Sequence, residues 1–167
     1  METAGAIASE AALRMIEVSH VRDEMTRARL KGLLASSGLK VAFNALPVIA
    51  ARGLDLGAES AETRAEAVAG MTALMAEAHF LGAGLFTVAS GPDTAPEGRA
   101  AARGRLAESL ARLCDEGGKL GLTVSLEPCD RDVEQKRLVG PVAEAVELAK
   151  QVRRDNFGLT LDLGHLL

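Results

Sequence analysis

Five short apolar runs, the first four each followed by a polar or glycine-bearing loop and then an amphipathic stretch, set the rhythm of this chain. The runs are Met15–Ser19, Leu39–Phe43, Leu85–Ala89, Leu122–Leu126 and Phe157–Leu161, about five residues each, the usual length of a strand. All five carry a Ser, Thr or Lys among apolar residues, yet the helical stretches beside them favour covered strands over an open antiparallel sheet. Between the runs the apolar period changes from two to 3.6. The clearest helix is predicted over Ala61–Leu81, with Val68, Met71, Leu74, Met75, Ala78 and Leu81 on one face, Ser60 as its cap and Glu62 in its first turn. A second shows Leu106, Leu110, Leu113 and Cys114 on one face and is expected to close at Gly117-Gly118. A third starts at Pro141 and buries Val142, Ala145, Val146, Ala149 and Val152. The earliest, Arg22–Ser36, turns Met25, Ala28 and Leu33 inward and stops at Gly38.

Alternation of this kind implies parallel strands joined by right-handed crossovers. It does not choose between an open doubly wound sheet and a closed barrel. No glycine-rich dinucleotide fingerprint, phosphate-binding P-loop or nucleophile elbow follows any strand, which shifts the weight to a barrel. The expected fold is therefore α/β: a partial (β/α)8 TIM barrel of about five parallel strands with outer helices. Residues 1–167 form one domain. Five strands and four helices fall short of the eight of each, over about 250 residues, in a complete barrel, so the C-terminal strands are expected to be missing.

Composition narrows the partners. A net charge of −4 and a pI near 5.4 argue against nucleic acid, whose binding draws on phosphate neutralisation by Lys and Arg. The chain has no Trp or Tyr and only Phe43, Phe80, Phe86 and Phe157, so stacking platforms for bases or sugars are absent. Two cysteines, Cys114 and Cys129, are too few for a disulfide framework and make a reduced, cytoplasmic protein the default. No apolar run approaches a membrane span, and the N-terminus carries no basic leader.

In α/β folds function gathers at the carboxyl ends of the strands. Here these read Ser19-His20, Asn44–Pro47, Ser90–Asp93, Glu127–Arg131 and Asp162–His165. Glu127 ends an apolar strand, where a carboxylate is costly unless paired, hydrogen-bonded or bound to a cation. Asp162 ends the next, and His165 follows three residues later. Two carboxylates and an imidazole make an oxygen and nitrogen ligand set suited to Mn²⁺, Mg²⁺, Co²⁺ or Zn²⁺. The bland alternative pairs Glu127 with Arg131 and lets Asp162 cap a turn. His20, Asn44 and Ser90 are candidate substrate-binding residues, with surface or hydrogen-bonding roles as alternatives. Arg131 could steady Glu127 or read an anionic substrate.

The segments Val124–Arg131 and Asn156–His165 resemble the xylose-isomerase-like superfamily of sugar phosphate isomerases and epimerases. The resemblance implies that Glu127 and Asp162 bind a divalent metal ion, that Glu127 also moves a proton, and that His165 contacts substrate or a second metal. It implies a small sugar or sugar-phosphate-like substrate with a hydroxy-carbonyl group, turned over by isomerisation or epimerisation. Dehydration, endonuclease-IV-type hydrolysis or a non-catalytic remnant are the alternatives. The family takes a further His and Glu from later strands, and its first strand has no counterpart here, so the isolated chain is expected to be inactive. An apolar inner face and two open edges are expected to drive self-association.

Overall fold

In the computed structural model, which describes residues 1–165 except for the side chain of His165, the five runs become one parallel sheet. The strands are β1 (Met15–Ser19), β2 (Lys40–Asn44), β3 (Leu85–Ala89), β4 (Thr123–Glu127) and β5 (Phe157–Leu159), lying side by side in chain order. Six helices join and flank them: α1 (Glu2–Ser9), α2 (Glu24–Ser37), α3 (Leu46–Arg52), α4 (Ala61–Phe80), α5 (Arg99–Lys119) and α6 (Val142–Val152). Among the described residues no helix is long and apolar enough to cross a membrane.

Register separates the two faces of the sheet. Val18, Phe43, Phe86, Val124 and Phe157 form one row across all five strands, and all of them join the core cluster with the helices. Side chains alternate along a strand, so Ser19, Asn44, Thr87 and Ser125, also paired in one row, look to the inner face. That face carries Glu17, Lys40, Asn44, Thr87, Thr123, Ser125 and Glu127 by the same alternation, and it is polar. Glu17, Ser19 and Lys40 are exposed on it. Asn44 Nδ2 donates to Glu17 Oε1 at 2.9 Å, and Ser125 Oγ joins Thr87 Oγ1 at 3.1 Å and Thr160 Oγ1 at 2.9 Å. The expectation of an apolar inner face is corrected: two-residue alternation sorts the apolar side chains to the helix side, where the core is.

The helices follow local chemistry. Ser60 caps α4, its hydroxyl accepting from Thr63 N, and Asp23 does the same for α2 through Thr26 N at 2.7 Å. Gly38 closes α2 with φ 71°. Replacing Ser60 by Ala is expected to cost about 1 kcal/mol and to lower the thermal midpoint by roughly 2–4 °C in a chain of this size, read by circular dichroism.

Four details depart from expectation. α5 runs through Gly117-Gly118 to Lys119, because a Cβ at Gly117 would lie 3.3 Å from Val124 Cγ2: the glycine lets the helix approach β4. α2 buries Leu30 and Leu34, leaving Met25 67% exposed. On α6 Leu148 is buried and Val146 is exposed. α1 and α3 were not expected, since α1 buries no residue and α3 is a seven-residue helix opening directly on the strand-end Pro47.

Candidate functional site

Glu127 is the last residue of β4, paired in register with Ala89 of β3, and it is only 6% exposed. The chain then turns, and Cys129, two residues on, is fully buried. Burial pushes the Cys129 thiol up to about 11, the Glu127 carboxylate adds to this, Arg137 opposes it, and Asp130 and Asp162 push the same way. One buried locus thus feels three carboxylates and a guanidinium. A thiol held neutral in this way is no nucleophile at neutral pH. Asp162 is exposed, and its Oδ1 accepts from Gly164 N at 2.8 Å at the start of the 3₁₀ turn Leu163–His165. The turn carries the backbone of His165; the role assigned to its side chain lies outside the described residues.

A divalent cation fits this donor set in kind, because both groups offer hard carboxylate oxygens, Glu127 from the end of β4 and Asp162 from the loop after β5, which stops at Leu159 and not at Leu161 as expected. Among the described residues no three His, Cys, Asp or Glu side chains close around a single ion position.

Two loops build the wall beside Glu127. Residues after β3 and after β4 pair as a short antiparallel bridge, Pro92 with Arg137. Asp93 N donates to Lys136 O at 2.9 Å and Leu138 N to Gly91 O at 3.1 Å. Ser90 is fully buried and its Oγ accepts from Val139 N at 3.1 Å. Asp130 gathers the tip, accepting from the amides of Val133, Glu134 and Gln135. Lys136 is held at φ 49°, a left-handed conformation that costs a non-glycine residue roughly 1–2 kcal/mol. A Cβ at Gly91 would sit 1.9 Å from Asp55 Oδ1, so any larger residue there would force the Asp55 side chain to move.

Charge pairs clamp the same loops. Arg99 donates two hydrogen bonds to Asp93, at 2.9 and 2.6 Å, and these hold the Asp93 carboxyl below its usual range against the opposing effect of burial. A depressed carboxylate stabilises the fold fully above its ordinary value of 3.8 and loses that contribution as pH falls through the folded value. Asp93→Asn is therefore expected to destabilise the chain at neutral pH and to match the parent once pH falls well below 3.8, checked by thermal melts across pH. Arg131 bonds both carboxylate oxygens of Glu144, donates to Leu138 O at 2.7 Å and lies 3.8 Å from Asp93.

The candidate residues thus separate. Glu127 ends β4, and Asp162 follows β5, the strand beside it. Asn44 stands on the inner face, but its amide is shared between Glu17 and Leu46 N. Ser90 and Arg131 hold the loops. His20 follows inward-facing Ser19 and turns to the helix side, where its Nδ1 meets Glu77 Oε2 at 2.6 Å. Glu77 also accepts from Val21 N at 2.8 Å and lies 3.7 Å from Arg27. A cleft of about 890 Å³ opens there between α2, α3 and α4, with Phe80, Leu74 and Val48 in its walls, away from Glu127. Sequence reasoning passed over Glu77, Asp130 and Arg137. Glu77 carried a signal, since it interrupts the apolar face of α4 between Leu74 and Ala78, and a buried carboxylate needs a partner.

Comparison with known proteins adds the family. Among curated proteins none matches the sequence. The structure of D-psicose 3-epimerase with D-tagatose from Clostridium cellulolyticum H10 superimposes with a TM-score of 0.78 at 18% identity, covering 99% of this chain and 58% of that one. An AP endonuclease of family 2 from Brucella melitensis gives 0.79 at 24% identity over 98% of this chain and 63% of that one. The IOLI protein with a binding zinc atom gives 0.79 at 16% identity over 99% and 59%. These are likenesses of fold, and the chain spans less than two thirds of each neighbour. The family comparison covers residues 6–167. The parallel order of the sheet, its outer helices and this match together place the chain in the xylose isomerase-like TIM barrel family.

Proposed function

We propose that the chain carries the metal-holding part of a divalent-metal-dependent isomerase or epimerase acting on a hydroxy-carbonyl sugar. The observation that carries this is the buried carboxylate of Glu127 at the end of β4, with Asp162 in the turn that follows β5, the strand beside it. Glu127 and Asp162 hold the cation, with His165 beside them as the family resemblance implies. When bound, such a cation polarises the substrate's adjacent oxygens and lowers the cost of removing the neighbouring proton. Glu127 takes that proton and returns it, a task suited to a carboxylate out of bulk water. The clamped loops after β3 and β4 exclude water from its side of the mouth.

The family match supports this reading, as do neighbours named as sugar epimerases and one named with zinc. The domain is proposed to be one barrel segment over residues 1–167. Self-association rests on the free edges of β1 and β5, since the inner face is polar. The test is proton exchange: the chain with Mn²⁺ is incubated with D-fructose in deuterated water and followed by NMR. Metal-dependent exchange next to the carbonyl, a partial reaction that asks less than turnover, is the expected result even though the isolated chain is expected to complete no isomerisation. Exchange undiminished by a chelator overturns the metal role, and saturable Mn²⁺ binding with no exchange leaves a binding remnant in place of an enzyme.

A further inference from the structure

The cleft between α2, α3 and α4 lies on the helix side of the sheet, away from the mouth. α4 packs on α5 and α5 on α6, but α2 and α4 barely touch, and the gap between them is the cleft of about 890 Å³. Further strands would pair at the free edges of β1 and β5 and not between two helices. Small-molecule sites measure roughly 300–1,000 Å³ and are mostly apolar with a few converging polar groups. This cleft has that make-up. Pro47, Val48, Leu74 and Phe80 supply apolar wall. Three guanidinium groups, those of Arg22, Arg27 and Arg52, face two carboxylates, Glu24 and Glu77, across it, in a chain whose net charge is −4. With His20 neutral, the cleft therefore holds one surplus positive charge. The protein itself takes up Glu77, which is buried, accepts from Val21 N and pairs with His20. Arg27 stands between the two acids, 3.8 Å from Glu24 and 3.7 Å from Glu77. Arg22 and Arg52 are left, and their side chains have no hydrogen bond or ion pair among the described residues. Arg52 is laid against α4 at Gly70, where a Cβ would sit 3.7 Å from its Nη1. A glycine in mid-helix is disfavoured, and this one keeps the wall low beneath the guanidinium.

We propose that this cleft is a second binding site, which takes a small amphipathic monocarboxylate with its apolar body against Val48, Leu74 and Phe80 and its head on Arg22 and Arg52. A guanidinium fork matches a carboxylate, and the single surplus charge matches a singly charged head. The inference goes beyond the isomerase reading and stands without it, because no residue of the mouth takes part.

Calorimetric titration of the chain without added metal tests it, using octanoate, 1-octanol and octylammonium, which share one apolar body. Octanoate is expected to bind saturably and roughly 10-fold more tightly than 1-octanol, the gain of a charge-assisted pair, with octylammonium the weakest. Combining Arg22→Gln with Arg52→Gln should bring octanoate down to the level of the alcohol. Both positions are exposed, so melts should show the fold intact. Ala73→Trp carries the test if they do not: Ala73 is exposed on the α4 wall of the cleft, and an indole there should remove binding of acid and alcohol alike. Equal binding of the three probes, octanoate binding that survives Ala73→Trp, or no saturable binding overturns the inference. A dimer in sedimentation that Ala73→Trp dissolves and octanoate does not would assign the cleft to a second copy of the chain and overturn it too.

Discussion

Glu127→Gln is expected to remove Mn²⁺ binding while leaving the fold intact. The substitution keeps the size of the side chain and deletes one charge. Losing even an outer-shell partner costs roughly 10–100-fold in metal affinity, so losing a ligand should cost at least that much. If Glu127 also moves the substrate proton, metal-dependent proton exchange should fall by a further factor of about 10²–10⁴. The residue is 6% exposed at the end of a central strand, where an ionised carboxylate carries a desolvation cost that a neutral amide lacks. The thermal midpoint should therefore stay level or rise. Calorimetric Mn²⁺ titration and a melt on the same sample decide the matter. A variant that binds Mn²⁺ as the parent does would remove Glu127 from the metal site.

Phe86→Ala should give the largest loss of stability in the chain, about 3–5 kcal/mol. Phe86 is fully buried at the centre of the sheet, and its ring stacks on Phe43 of the neighbouring strand with centroids 5.6 Å apart and planes within 8°. Because aromatics are so scarce here, no other ring can refill the space, and the rest of the buried core is built mainly of Leu, Val, Met and Ala. A loss of that size is a large part of the roughly 5–15 kcal/mol that holds a domain together. Urea unfolding is expected to show a much lower midpoint or no cooperative transition. A change below about 1 kcal/mol would mean that the two rings do not pack as described. The Phe43→Ala and double variants, read as a cycle, should return a coupling of about 0.5–1.5 kcal/mol for the stacked pair.

Much of this molecule could be read from residue order alone. The five apolar runs became the five strands, β1 and β3 to the residue, because a covered parallel strand needs a short continuous apolar run and tolerates little else. Ser60 and Gly38 marked helix ends because capping and left-handed closure are local chemistry that distant contacts rarely override. Glu127 and Asp162 stood out for a related reason: a carboxylate at the end of an apolar run has few inexpensive explanations.

The tertiary structure decided what those groups meet. Residue order alone put His20 at the mouth with the other strand ends; the register that turns Ser19 inward turns His20 out to Glu77, 57 positions away. Arg131 and Arg137 look equivalent in sequence, and only the packing of the loops and α6 brings Glu144 to the first and the carbonyl of Ser90 to the second. The inner face was misjudged as apolar because an apolar run shows how much of a strand is covered and not which side faces the core. Local rules act over a few residues of chain, whereas partners for buried charge are chosen in space, and the choice becomes visible only once sheet register and helix packing have set who stands beside whom.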